Sequence, residues 1–287
     1  MRFDRSLTCL SGVPVRLSPR ITRVLAPNPS PFTFKGTGVY LVENGSDVIA
    51  IDPGPDMPEH IDALKRAIGE RKLSHILITH THRDHSPASR ALKAWSGAQI
   101  YAAASAPHAA ATEGQVDEAH DHDFVPDCVV KDGDAIAGMT CVATPGHTAN
   151  HMCFALEAEK ALFSGDHVMG WSTSVIAPPD GDMAAYLESL GKLLLRDDEI
   201  YYPTHGSPIA DPQNWLRDLI AHRHQRAGQV ADAVRSGSDT IETIAAQLYP
   251  DLDPALRGAA MAQVKAHLDL LEKQGRVIRD GLGYRPL

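Results

Sequence analysis

The first half of the chain alternates short apolar runs with turn residues. Residues 39–42 and 48–51 are β-branched and apolar, and the Glu43-Asn44-Gly45-Ser46-Asp47 segment between them carries an Asn-Gly pair. Such a pair between two apolar runs is the signature of a tight hairpin, so the runs are predicted to pair antiparallel. From Pro58 the period changes. Ile61, Ala63, Leu64, Ala67 and Ile68 fall on one face at helical spacing, and Gly69 supplies a stop. Residues 73–79 then form a mostly apolar strand that runs into a polar cluster. Beyond it the pattern predicts a helix over 87–95 and a strand over 99–103. Asp132-Gly133-Asp134 reads as a turn between strands at 129–131 and 139–143.

Three of these apolar runs end in histidine or aspartate, at Thr79-His80, Pro145-Gly146-His147 and Phe163-Ser164-Gly165-Asp166. That placement puts chemistry on loops above a rigid sheet, and two such halves predict a four-layered αβ/βα sandwich. From Trp215 the pattern turns helical: 216–234, a second helix opened by Asp239 with Glu242 at capping-box spacing, and a third over 255–274 carrying Met261, Val264, Leu268 and Leu271. An Asp280-Gly281 turn between two short strand-like runs follows. Three helices and a hairpin predict a winged helix, so the expected division is a catalytic unit over 1–214 and a winged-helix unit over 215–287. The 216–234 helix also offers a face through which two copies could pair as a homodimer.

Charge narrows the partners. The formal net charge is −9, and it is unevenly placed: residues 215–287 hold ten Lys/Arg and nine Asp/Glu, against 17 and 27 in residues 1–214. An acidic surface of this kind repels a polyanion over most of its area. The predicted third helix sets Arg257, Lys265 and Lys273 against Asp269 and Glu272, so sequence-specific DNA binding is not expected. No apolar run reaches about 18 residues and the first ten residues lack the apolar stretch of a secretory signal, which predicts a cytoplasmic protein without membrane association. Cys9, Cys128, Cys141 and Cys153 show no C-x-x-C spacing and read as reduced, mostly buried thiols.

The candidate chemistry sits in His80-Thr81-His82-Arg83-Asp84-His85, where four metal-competent side chains fall within six residues. Imidazoles suit zinc or iron, and a carboxylate neutralises charge. Pro145-Gly146-His147-Thr148, Ser164-Gly165-Asp166-His167 and Pro203-Thr204-His205-Gly206 each offer a further ligand after an apolar run. Residues 114–127 are polar and acidic. His120 and His122 there admit a third metal site but read as part of a solvated surface loop. His151 and His167 read as hydrogen-bonded structural residues and His75 as a core histidine; His108, His222, His224 and His267 read as surface or helix positions.

In order and spacing these four elements resemble the metallo-β-lactamase superfamily over roughly residues 20–210. The resemblance implies that His80, His82 and His147 bind one divalent metal, that Asp84, His85 and His205 bind a second, and that Asp166 bridges them. Asp84 and His85 would also be catalytic, and Asp52 in Ile51-Asp52-Pro53-Gly54 would orient the cluster loop. Two such cations hold a hydroxide between them and stabilise the oxyanion formed on attack at a carbonyl or phosphoryl centre. Zinc suits the ligand set, with iron or manganese as alternatives. Superfamily members that are true β-lactamases usually place a cysteine where Asp166 stands, so the resemblance is to the glyoxalase II, lactonase, arylsulfatase and ribonuclease Z branches. With the predicted winged helix, and with the 28–38 segment (NPSPFTFKGTG) and Ala266-His267-Leu268 through Gly275-Arg276-Val277, the chain is similar to the β-lactamase-like protein 2 group. Two substrates are implied about equally: single-stranded RNA, cleaved as by a phosphodiesterase or endoribonuclease, and a small thioester, ester or lactone. A non-catalytic binding protein is disfavoured by the intact ligand set.

Overall fold

A computed structural model of the protein describes residues 2–104, 120–281 and 283–287. The first sheet takes seven strands in chain order: β1 (Val15–Arg16), β2 (Ile21–Leu25), β3 (Gly38–Asn44), β4 (Asp47–Ile51), β5 (Lys72–Leu77), β6 (Gln99–Ala103) and β7 (Cys128–Val130). β1 to β4 pair antiparallel, and in the predicted hairpin Asn44 faces Asp47 across a Gly45-Ser46 turn. β4 to β7 are parallel, and helices α1 (Pro58–Ile68) and α2 (Ala88–Ser96) return the chain between β4, β5 and β6. The second sheet contains β8 (Ala135–Ile136), β9 (Met139–Ala143), β10 (Met152–Leu156), β11 (Ala161–Gly165) and β12 (Ile200–Pro203), with helix α3 (Met183–Leu193) between the last two. Its order is β12-β11-β10-β9-β8, antiparallel except for the β11–β12 pair.

Side-chain alternation explains why the sheets stack. In β3 and β4, Tyr40, Val42, Ile49 and Ile51 point to one face and meet Cys141, Phe154 and Phe163 of the second sheet; Val39, Leu41, Val48 and Ala50 point the other way and pack under α1 and α2 with Ile61, Leu64 and Leu92. In the second sheet Cys153, Ala155 and Leu162 face outward against Tyr186, Leu190 and Leu193 of α3. A strand with a period of two and both faces apolar needs a layer on each side, which is the predicted αβ/βα sandwich.

The C-terminal part supplies α4 (Pro212–Arg235), α5 (Ile241–Leu248), α6 (Arg257–Lys273) and the hairpin β13 (Val277–Asp280) with β14 (Gly283–Pro286). Leu219, Val230 and Val234 of α4 join Ile244, Val264, Leu268, Leu271, Val277 and Tyr284 in one core that runs on into α3 and the outer face of the second sheet. The apolar face of α4 is thus taken by the chain's own core. The start of α5 also differs from expectation: Thr240, not Asp239, is the N-cap, in a reciprocal capping box with Thr243. A β-branched hydroxyl one residue later makes the same contact as the predicted carboxylate.

Two histidine assignments change. Residues 105–119, with His108 and the first part of the predicted acidic loop, lie outside the described residues. From His120 onward the segment is partly packed: His120, Asp121 and Phe124 are buried, while His122, Asp123, Val125 and Asp127 are exposed as expected. Asp121 accepts from Ser86 Oγ at 2.7 Å and Arg90 Nη1 at 2.8 Å, and its N–H donates to Thr81 O, which ties this segment to the histidine cluster. His267, expected at a surface or helix position, lies on α6 but is 1 % exposed, and neither ring nitrogen has a hydrogen-bond partner among the described residues.

Burial, followed by the nearby Arg223 and Arg226, pushes the His267 imidazole down to about 3. A histidine depressed in the fold stays neutral while the unfolded chain takes up a proton, so stability is lost as pH falls from about 6.5 toward 3. Between pH 7.5 and 5.0 this one residue is expected to cost about 2 kcal/mol. His267→Leu should remove that part of the acid sensitivity, as measured by urea unfolding of the two proteins at both pH values.

Candidate metal centre

The parallel relation of β4 to β5 and of β11 to β12 brings their carboxyl ends to one edge of the sandwich, and β9 runs the same way as β11 because both are antiparallel to β10. The chain leaves β4 at Asp52, β5 toward His80, β9 toward His147, β11 at Asp166 and β12 toward His205. All seven metal-competent residues predicted from the sequence meet at this edge. His80 Nε2 lies 2.9 Å from His82 Nδ1, and His147 Nε2 lies 3.3 Å from the same atom. Asp84 Oδ2 is 3.0 Å from His205 Nε2 and 3.4 Å from His85 Nε2. Asp166 Oδ2 lies between the two groups, 3.4 Å from His205, 3.5 Å from His85 and 3.9 Å from His147. In each of the sets His80/His82/His147, Asp84/His85/His205 and His80/His85/Asp166, one ligand atom per residue lies within 4.8 Å of the others.

Local backbone features aim these groups. The β11–β12 register shifts between Phe163 and Gly165, directly before Asp166, as at many sites where a bulge redirects a side chain. Gly165 has φ 52°, and a Cβ there would stand 2.5 Å from His151 Nε2 and 2.8 Å from Thr79 Oγ1. Only glycine lets the loop come this close. Gly146, before His147, is equally confined, since a Cβ would meet the Tyr186 backbone at 2.3 Å.

Hydrogen bonds at the far nitrogens fix the ring orientations. His85 Nδ1 is 2.9 Å from Asp52 Oδ2, His205 Nδ1 is 3.2 Å from Gly36 O, and His147 Nδ1 is 2.6 Å from Val175 O. Each acceptor calls for an N–H at Nδ1, so that Nε2 is the atom aimed into the cluster. Asp52 fits its predicted supporting position: it also accepts from Thr79 N at 2.8 Å, Thr79 Oγ1 at 2.7 Å and Thr204 Oγ1 at 3.1 Å. Thr79 Oγ1 gives its proton to Asp52 and can therefore accept from His80 Nδ1 at 3.0 Å.

The electrostatics divide along the same line. Burial, and then the neighbouring imidazoles, hold His80 and His82 well below the ordinary histidine range, so both are neutral lone-pair donors. Burial also opposes charge on His85 and His205, but Asp84 and Asp166 outweigh it; His85 is held well above its usual value and His205 is raised to about 10. Burial raises Asp84 and Asp166 while His85 and His205 lower them further, so both carboxyl groups stay ionised. His85 Nε2 and Asp166 Oδ1 are buried without a hydrogen-bond partner. Neutral imidazoles and ionised carboxylates converging on one point, with unpaired ligand atoms among them, fit divalent cations.

Other histidines stand nearby in different roles. His151 Nδ1 bonds Thr144 Oγ1 at 2.8 Å, as predicted for a structural residue, whereas neither His167 ring nitrogen has a hydrogen-bond partner and the ring packs on Tyr186 at 4.5 Å. His75 is partly exposed, bonded to Ser74 and packed on Tyr101. His120 forms no third metal set among the described residues; its ring centroid is 5.0 Å from that of His82, and its Nε2 is 3.6 Å from Asp180 Oδ2. The sequence reading missed Thr79, Thr204, Ser174 and Val175. Both threonines directly precede ligands, which was the one signal available; Val175 acts through a backbone carbonyl, which any residue type provides.

Comparison with known proteins identifies the family. The Metallo-beta-lactamase superfamily model matches residues 33–205 and the Beta-lactamase associated winged helix domain model matches residues 240–285, so the chain belongs to the metallo-β-lactamase superfamily and ends in a winged helix. Its fold implies divalent-metal binding and hydrolase chemistry. The chain is 34 % identical over 248 residues to an atrochrysone carboxyl ACP thioesterase of Aspergillus chevalieri, covering 82 % of this chain and 74 % of that one. It is 32 % identical over 268 residues to a β-lactamase-like protein 2 homolog of Caenorhabditis elegans, covering 91 % and 87 %. A β-lactamase domain protein of Burkholderia ambifaria shares the fold with a TM-score of 0.82 at 19 % identity, over 98 % and 96 % of the two chains.

Asp52→Asn keeps the shape of the residue but replaces one acceptor oxygen with a donor opposite His85 and the two threonines. Zinc affinity, measured by competition with a chromophoric chelator, is expected to fall about ten- to hundredfold with little change in the circular dichroism spectrum.

Proposed function

We propose that the protein is a dinuclear metallohydrolase of thioesters. His80, His82 and His147 hold one divalent metal, Asp84, His85 and His205 hold the other, and Asp166 lies between them. The observation that carries this reading is the position of Asp166 Oδ2 within 4 Å of histidines from both groups. Zinc suits the five imidazoles and two carboxylates, with iron or manganese as the alternatives at the carboxylate-bearing position.

When bound, such a metal pair lowers the pKa of a water toward neutrality and polarises a carbonyl. The chain's own residues do the rest. Asp52, Gly36 O and Val175 O hold the rings of His85, His205 and His147 in one tautomer each. Asp84 has the most exposed side chain of the three acids at the site, 26 % against 11 % for Asp166 and 1 % for Asp52. It therefore faces the side from which substrate enters.

The choice of an acyl over a phosphodiester substrate rests on charge and on a relative. The net charge of −9 disfavours a polyanion, and on α6 Lys265 is bonded to Asp269 and Lys273 to Asp182. A curated relative at 34 % identity is named as a thioesterase.

The test is product release from a thioester such as S-lactoylglutathione and, in parallel, from a single-stranded RNA oligonucleotide. Zinc-loaded wild type is compared with Asp84→Ala and His205→Ala. The reading predicts thioester hydrolysis that falls more than about a hundredfold in both variants, beyond the usual cost of losing a residue that only supports a ligand. RNA cleavage with the thioester left intact would overturn the acyl assignment and keep the metal centre.

A further inference from the structure

Arg223 of α4 is 2 % exposed, and no carboxylate lies within ion-pair distance of it among the described residues. A buried guanidinium without an anion is costly, and an apolar side chain would fill the same space with less desolvation. Its contacts show what it does instead. Arg223 Nη2 donates to Ser174 O at 2.6 Å and Nη1 to Gln263 Oε1 at 3.2 Å, while Gln263 Nε2 of α6 donates to the same Ser174 O at 3.0 Å. The guanidinium also lies 5.0 Å above the Tyr186 ring, whose hydroxyl donates to His167 O at 2.9 Å. One backbone carbonyl of the loop after β11 is thus held by two side chains from two helices of the C-terminal part.

That loop is the support of the metal centre on the second-sheet side. Ser174 Oγ lies 2.5 Å from Asp166 O and 2.9 Å from His167 O and shares its proton between them. The next residue, Val175, offers the carbonyl that accepts from His147 Nδ1 at 2.6 Å. The chain of contacts therefore runs from Arg223 and Gln263 through Ser174 and Val175 to His147 and Asp166, with no gap longer than a hydrogen bond.

We propose that Arg223 and Gln263 are positioning residues for the metal centre: the winged-helix part clamps the Ser174–Val175 loop and thereby sets the tautomer of His147 and the placement of Asp166. This rests on the dinuclear reading above, and it gives the C-terminal part a role in metal binding rather than in nucleic-acid recognition. Metal ligands depend on such supporting hydrogen bonds, and loss of one commonly costs ten- to hundredfold in affinity. The set of Asp84, His85 and His205, from the loops after β5 and β12, is anchored on Asp52 and Gly36 O rather than on the clamp.

The test compares wild type, Arg223→Met, Gln263→Met and Leu268→Ala. Leu268 is a fully buried residue of the same helix as Gln263 and belongs to the hydrophobic core, so its truncation destabilises the C-terminal part without removing a donor to Ser174. Zinc affinity is measured for each of two equivalents by chelator competition, and the visible spectrum is recorded after cobalt substitution. In Gln263→Met and Arg223→Met, one equivalent is expected to weaken about tenfold or more and the cobalt band to change shape. Leu268→Ala should lower the Tm but keep both affinities and the band. Gln263 is only partly buried, so Gln263→Met decides the matter if Arg223→Met does not fold. A wild type that binds two equivalents beside folded clamp variants with unchanged affinity and spectrum overturns the clamp alone. A wild type that holds fewer than two equivalents overturns the dinuclear reading, and the clamp with it.

Discussion

The Asp52 carboxylate is 1 % exposed and sits where the two sheets open onto the site, so it must find its hydrogen bonds within the protein. It takes four: from Thr79 N, Thr79 Oγ1, Thr204 Oγ1 and His85 Nδ1. These donors come from the loop after β5 and the loop after β12, that is, from one strand of each sheet. Leaving any of them unmade would cost on the order of 1–3 kcal/mol, so the two loops are held together by folding itself. The backbone at Asp52 follows this demand, with φ 47° in the left-handed region that a residue with a side chain adopts at a cost of about 1–2 kcal/mol. Gly54 N donates to His85 O and Ala88 N to Gly54 O, which knits the Asp52 loop to the histidine loop along both edges. The placement of His85, and of the loops that lead to His80 and His205, is therefore a consequence of satisfying one buried acid.

What this frame confines is charge of both signs. Asp84 and Asp166 raise the pKa of His85 and His205 against the cost of burial, while burial and the neighbouring imidazoles lower those of His80 and His82. One half of the site thus presents neutral lone pairs and the other presents carboxylates already balanced by removable protons. In the proposed dinuclear centre divalent cations would complete both halves, and the exchange of protons for metal would link occupancy to pH. Each of the three acids faces a histidine at short range: Asp52 faces His85, and Asp84 and Asp166 both face His205.

Much of the architecture was legible because its signals are local. The period-two runs at 39–42, 48–51 and 139–143, the Asn44-Gly45 turn and the strand ends at Thr79 and Gly165 each carry their meaning in a few residues, and the H-x-H-x-D-H cluster with three later ligands marks the site. The rest is set by contacts distant in sequence. His267 is buried on α6 beside Arg223 and Arg226 of α4, which no helical pattern at 255–274 reveals. Residues 120–127 look like a solvated acidic loop until Asp121 is seen bonded to Ser86 and Arg90. Strand β2 escaped the reading because Thr22 and Arg23 interrupt it, although Arg23 is itself buried and donates to Gly206 O, beside His205. Ser174 and Val175 support ligands partly through backbone carbonyls, which no side-chain pattern records.

The C-terminal helices complete this picture, since they share one hydrophobic core with α3 and the second sheet and so cannot shift without moving the loops on that side. The account as a whole depends on two cations lying between the two sets of ligands, and anomalous diffraction tests that most directly. Crystals of zinc-loaded protein, measured at the zinc edge, should show two peaks about 3.5–4 Å apart. One should lie among His80, His82 and His147 and the other among Asp84, His85 and His205, with the Asp166 carboxylate between them. A single peak, or zinc bound only away from these residues, would contradict it.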